Sequence, residues 1–132
     1  YDAEPCTQVV IRAETGNASA PVLDDARIDR LLDEIGAGPL QKVTDAFVAE
    51  TPRRLEELRL AMGDSDAAAV RRSVHAIRSP SAMLGAVALA DQLRIIEDSA
   101  DPMKSVHDAH LGDLIDATMN RLHAKMSQIA EL

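Results

Sequence analysis

The stretch Ala68 to Ala86, AAVRRSVHAIRSPSAMLGA, decides how the rest of the chain is read. At about 100° per residue on a helical wheel, Val70, Ile77 and Leu84 share one side and His75 points almost directly away from them. Within about 60° of His75 by the same geometry lie Arg71, Arg72, Arg78, Ser79, Ala68, Ala82 and Ala86. One face is apolar, as packing on other helices requires. The opposite face sets an imidazole among guanidinium groups and small side chains.

Both ends of this helix are legible. Ser65 or Asp66 can start it, and Gly85-Ala86 is suited to a tight corner. Inside it, Pro80 removes the hydrogen bond to the Ala76 carbonyl, which predicts either a kink or a division into two helices. If the corner closes an antiparallel hairpin, positions equidistant from Ala86 are level, which brings Glu97 beside His75. Its carboxylate could then bond one ring nitrogen and leave the other free to attack.

On the N-terminal side, Asp24 or Asp25 can cap a helix whose face is Ile28, Leu31, Leu32 and Ile35, with Gly36 and Gly38 as its stop. A second helix carries Leu40, Val43, Phe47, Thr51, Leu55, Leu58 and Met62 at three- to four-residue spacing. Pro52 must kink it or restart it with Thr51 as cap. On the C-terminal side, Leu89, Leu93 and Ile96 mark a fourth helix, and after Asp101-Pro102 a last helix runs through Leu111, Leu114, Ile115, Leu122, Met126 and Ile129. Short connections favour antiparallel neighbours, so the expected fold is all-α, an antiparallel four-helix bundle with an additional short N-terminal helix.

Composition agrees. The only aromatic residues are Tyr1 and Phe47, so the core must come from Leu, Ile, Val, Met and Ala, a palette suited to packed helices. Met62, Met83, Met119 and Met126 are expected to fill core gaps. A chain of 132 residues holds one ordinary domain, placed here over residues 22–132. Residues 1–21 show no helical period and mix Thr15, Gly16, Asn17, Ser19 and Pro21, which predicts a partly disordered tether, although Val9-Val10-Ile11 could add a strand. The chain opens on Tyr1 rather than Met, as expected of a piece of a longer protein.

The formal net charge of −8 argues against a nucleic-acid or anionic-membrane binder. No apolar run approaches the roughly 20 residues that span a bilayer, so no direct membrane insertion is expected. Cys6 is the one cysteine, which excludes an internal disulfide and fits an intracellular setting with a surface thiol.

An exposed imidazole is a nucleophile that phosphoryl transfer can use, and nearby cations can meet charge on the equatorial oxygens. By itself, a histidine between arginines on a helix is also what an ordinary solvated surface residue looks like. The remaining histidines, His107, His110 and His123, lack the Glu-x-x-His pairs of di-iron bundles. His107 and His110 with Asp113 read as a solvated helix start, and no metal or cofactor is expected on this chain. There is no P-loop and no nucleophile elbow.

His75-Ala-Ile-Arg78-Ser79-Pro80-Ser81-Ala82-Met83-Leu84-Gly85-Ala86 resembles the signature of histidine-containing phosphotransfer domains, roughly H-x-x-K-G-S-x-x-x-L-G. His75, Ser81, Leu84 and Gly85 fit it, and Arg78 keeps the charge of the usual Lys. Looser likeness extends over about residues 22–131, through Val22-Leu23-Asp24, Phe47 with Pro52, and Leu93 to Glu97. The resemblance implies a helical bundle that is phosphorylated on the histidine and exchanges the group with receiver domains bearing a phospho-aspartate, Mg²⁺ sitting in the receiver.

On that reading His75 is the phosphoacceptor. Arg71, Arg72 and Arg78 steer and stabilise, Glu97 is the imidazole partner, and Ala68, Ser79, Ala82 and Ala86 form the docking strip. Such a domain is expected to be a cytoplasmic monomer, the C-terminal module of a soluble or membrane-bound hybrid sensor kinase, and to lack ATP chemistry of its own. Ser79 in place of the usual Gly, and Pro80, depart from the pattern.

The same residues also resemble the H-box of sensor kinase dimerisation domains, commonly H-E-x-R-T-P. Ala76 stands where the acidic residue would be, and two amphipathic helices precede His75, both against that alternative. A helical adaptor that binds a receiver without carrying phosphate is the third reading.

Overall fold

The computed structural model describes residues 20–131. The expected tether, with Cys6 and Val9-Val10-Ile11, lies outside the described residues except for Ala20 and Pro21. Six helices follow one another among the described residues: α1 (Asp25–Ile35), α2 (Ala37–Gly63), α3 (Ala67–Met83), α4 (Val87–Asp98), α5 (Pro102–Ala109) and α6 (Leu111–Ala130).

Local chemistry accounts for most of the boundaries. The Asp24 carboxylate accepts from the Arg27 amide at 3.3 Å and caps α1, and Gly36, at φ +87°, ends it. The Asp66 carboxylate accepts from the Ala69 amide at 3.1 Å to start α3. Gly85, at φ +76°, turns the chain from α3 into α4, and its carbonyl accepts from the Asp24 amide at 2.7 Å. A Cβ at Gly85 would lie 3.0 Å from Arg27 Cβ and 3.2 Å from the Asp24 carbonyl oxygen, so the N-terminal segment seats against a corner only glycine can make.

Both internal prolines are accommodated without breaking their helices. Pro52 lies inside α2 and Pro80 inside α3. Each has a buried hydroxyl beside it that bonds back one turn: Thr51 Oγ1 donates to the Phe47 carbonyl at 2.6 Å, and Ser81 Oγ to the Ile77 carbonyl at 2.7 Å. Thr51 is therefore not a helix cap, and Pro80 does not divide α3.

The expected last helix is two. His110 adopts φ 52° and ψ 50°, left-handed values that end α5 and let α6 leave in a new direction. Asp101 caps α5, with Pro102 at its first turn.

The fold is the all-α bundle the sequence predicts. Helix α3 packs against α2 and α4, α4 also against α6, and α6 back against α2, so these four close a ring. Val70, Val74 and Ile77 of α3, Leu89, Leu93 and Ile96 of α4, Leu40 and Leu58 of α2, and Leu122 of α6 fill its centre. Each such side chain contributes about 2 kcal/mol by leaving water. Helix α1 lies outside the ring, with Ile28 and Leu31 turned inward. Its Asp25 and Asp29 carboxylates pair with Arg121 and Lys125 of α6.

Two apolar side chains differ from expectation: Ile35, expected on the packed face of α1, is 40% exposed, and Met83, expected to fill a core gap, is 39% exposed. Thr44 is buried with no partner for its hydroxyl among the described residues.

Candidate functional site

Helix α3 buries one face completely, with Val70, Val74 and Ile77, and Leu84 just past its end, all at 0% exposure. The same period turns His75 out, its side chain 59% exposed. The imidazole stands on the middle of a helix held rigidly by its buried side. The Gly85 corner sets the register of α4, and Glu97 arrives level with it.

One carboxylate joins two partners there. Glu97 Oε2 lies 3.0 Å from His75 Nδ1, and Glu97 Oε1 accepts from Arg78 Nη1 at 2.6 Å. An ionised carboxylate can only accept, so Nδ1 carries a proton and donates, and in the neutral ring that assignment leaves the lone pair on Nε2. Among the described residues nothing bonds Nε2. The Glu97 side chain is itself only 23% exposed, a half-buried setting in which a charge-assisted bond is held more firmly than in open water.

The three arginines do not form one cluster. Arg71 Nη2 donates to the Ser99 carbonyl at 2.8 Å, closing the C-terminal end of α4 across the hairpin. Arg78 is occupied by Glu97. Arg72 is exposed and has no polar partner among the described residues. The Arg71–Ser99 contact was not expected from the sequence, yet the register that pairs 75 with 97 puts 71 level with 101, two residues from Ser99.

Of the small residues, Ala68, Ser79 and Ala82 are exposed along the strip. Ala86 is not available for docking: it is 0% exposed, because the corner at Gly85 folds it into the core. The wheel placed it outward by continuing the helix past Leu84, where the helix has ended.

A feature the sequence did not disclose lies on the other flank. Between α2 and α3 runs an open groove of about 390 Å³, lined by Val43, Phe47, Glu50, Arg54, Ser79, Pro80 and Met83. The exposed Met83 is its signature, readable only once the end of α3 is known.

His107 on α5, His110 at the α5–α6 junction and His123 on α6 are exposed, away from this hairpin in sequence. Among the described residues no group of three or more His, Cys, Asp or Glu side chains is placed to hold a metal ion. No helix among them is long and apolar enough to cross a membrane.

The family model described as Hpt domain matches residues 42–131, well over half of the chain, and the match runs from α2 through α6. The chain belongs to the Hpt domain family. No match is found among the curated proteins or the solved structures. Membership in the Hpt family carries a role in histidine phosphotransfer within phosphorelays and interaction with receiver domains. Helix α1 and the segment before it precede the matched residues.

Proposed function

We propose that this Hpt domain is a phosphocarrier in which His75 accepts a phosphoryl group from a receiver phospho-aspartate and relays it to another receiver. The observation that carries the reading is the state of the imidazole. It is exposed, its Nδ1–H is engaged by Glu97, and its Nε2 has no partner among the described residues.

The step follows from those atoms. The Nε2 lone pair attacks phosphorus in line, the N–P bond forms, and the P–O bond to the aspartate breaks with its electron pair returning to the carboxylate. Nδ1 keeps its proton throughout, and Glu97 stabilises the positive charge that develops on the ring. The reverse sequence hands the group on. Mg²⁺ belongs to the receiver in this scheme, because hard-cation oxygen ligands are supplied there.

Ala68, Ser79 and Ala82 leave room for a receiver to bring its aspartate within reach of Nε2, and the groove beside Ser79 continues that surface. The domain serves, on this reading, as the cytoplasmic C-terminal module of a hybrid sensor kinase and makes no phosphate chemistry with ATP alone.

Incubation with a phosphorylated receiver tests it. Acid-labile label on the wild type that is absent from His75→Gln is expected. Receiver binding without label would leave a non-phosphorylated adaptor. Label from ATP with a kinase catalytic domain added in trans, and none from a receiver, would favour the dimerisation alternative.

A further inference from the structure

The three guanidinium groups flanking His75 look interchangeable on a helical wheel and have three different environments in the folded chain. Arg71 is taken up by the Ser99 carbonyl and Arg78 by Glu97, whereas Arg72 faces solvent without a polar partner among the described residues. Arg78 matters most for the ring, because the oxygen it does not hold is the one that meets His75.

A glutamate side chain has three rotatable bonds, and its terminal torsion is broad. Fixing one carboxylate oxygen on a planar, donor-only fork removes that freedom and leaves the other oxygen aimed at Nδ1. Without the fork, Glu97 swings and the proton redistributes between the two ring nitrogens. A ring protonated on Nε2 has no lone pair there and cannot attack. The charge-assisted bond of 2.6 Å ties the Arg78 guanidinium to a half-buried carboxylate, so its position is fixed by Glu97, whereas Arg72 has no such tether among the described residues.

We propose that Arg78 is a positioning residue that acts through Glu97 to hold the His75 proton on Nδ1, and that Arg72, the one of the three arginines not tethered among the described residues, is the cation free to turn to the phosphoryl oxygens of the incoming receiver. This rests on the reading of His75 as phosphoacceptor. In the transfer it serves one N–P bond forms, one P–O bond breaks, and no proton leaves the ring.

Nitrogen-15 NMR of the imidazole in the free chain separates the two roles. The wild type shows a protonated Nδ1 and a bare Nε2. Arg78→Met shifts the ring toward the Nε2–H tautomer and lowers the maximal transfer rate roughly tenfold, the usual scale for losing a group that orients a reactive imidazole. The half-saturating receiver concentration stays the same. Arg78→Lys, which keeps the charge but not the fork, falls between them.

Arg72→Met leaves the tautomer as in the wild type, raises the half-saturating receiver concentration and weakens its dependence on salt. An unchanged tautomer in Arg78→Met overturns the role given to Arg78, whatever happens to the transfer rate. An unchanged salt dependence in Arg72→Met overturns the role given to Arg72. A wild type that takes no label instead overturns the phosphocarrier reading, and the tautomer of Arg78→Met still judges the positioning role.

Discussion

His75 and His110 are both exposed histidines of the same small bundle, and their surroundings differ in kind. His75 sits mid-helix and meets a carboxylate 22 positions away, on a different helix, which is in turn held by Arg78. His110 sits between two helices in the left-handed conformation and makes no side-chain capping bond. Its neighbourhood is richer in potential ligands, with His107, Asp108 and Asp113 nearby in sequence, but the pairing there is local, Lys104 with Asp108 one turn apart. What sets His75 apart is a fixed long-range partner, which the denser but locally paired titratable residues around His110 do not supply.

The largest expected effect follows directly from that contrast. His75→Gln loses all label from a phosphorylated receiver, whereas His107→Gln and His110→Gln keep it; label retained in His75→Gln would erase the distinction.

The register that brings Glu97 to His75 depends on the corner. Gly85→Ala puts a Cβ against the Arg27 side chain and the Asp24 carbonyl at a φ of +76°. It should lower stability by about 2 kcal/mol in urea unfolding, with transfer falling alongside.

Next in size is Glu97→Gln, which keeps shape and removes charge. Arg78 can only donate, so it takes the amide oxygen and turns the amide NH₂ toward His75. That NH₂ donates to Nδ1 and forces the ring proton onto Nε2. Transfer should fall at least about tenfold, with the inverted tautomer visible by NMR. Asp108→Asn, the matching change at the other site, leaves transfer unchanged.

A smaller effect of opposite sign is expected at the α5–α6 junction. His110→Gly relieves a left-handed backbone that costs about 1 kcal/mol, partly offset by glycine's freedom in the unfolded chain. The protein gains about 0.5 kcal/mol of stability in urea unfolding by the same two effects, and transfer is unaltered.

The smallest effect is the pH response of the Lys104–Asp108 pair. Its hydrogen bond to Lys104 lowers the Asp108 pKa, and the same bond with the attraction of Asp108 raises that of Lys104. The stabilisation is thus lost as pH falls through the depressed carboxylate value or rises through the elevated lysine value, and is flat between. Both side chains are fully solvated, so loss of the plateau in Asp108→Asn should be barely measurable in thermal unfolding.

The periodic parts of the molecule were the readable ones. Val70, Ile77 and Leu84 against His75 gave the inward and outward faces of α3, and counting from Ala86 brought Glu97 to the imidazole, because helix period and hairpin register are both fixed by local geometry. What escaped depended on where helices end. Ala86 is buried and Met83 exposed because α3 stops at Met83 and the chain turns on Gly85. The break at His110 was hidden because a histidine in the left-handed region lacks the glycine that usually announces one. The unequal fates of Arg71, Arg72 and Arg78 were invisible for another reason: a wheel gives direction and cannot show which partner a long side chain finds.

The most direct test is to locate the phosphate. After transfer from a phosphorylated receiver, phosphorus–nitrogen NMR together with mass spectrometry of the peptide containing residue 75 should find a single phosphoryl group on Nε2 of His75. Phosphate on Nδ1, on another residue, or nowhere on the chain while the receiver is discharged would contradict the role given to this imidazole and to the carboxylate that holds it.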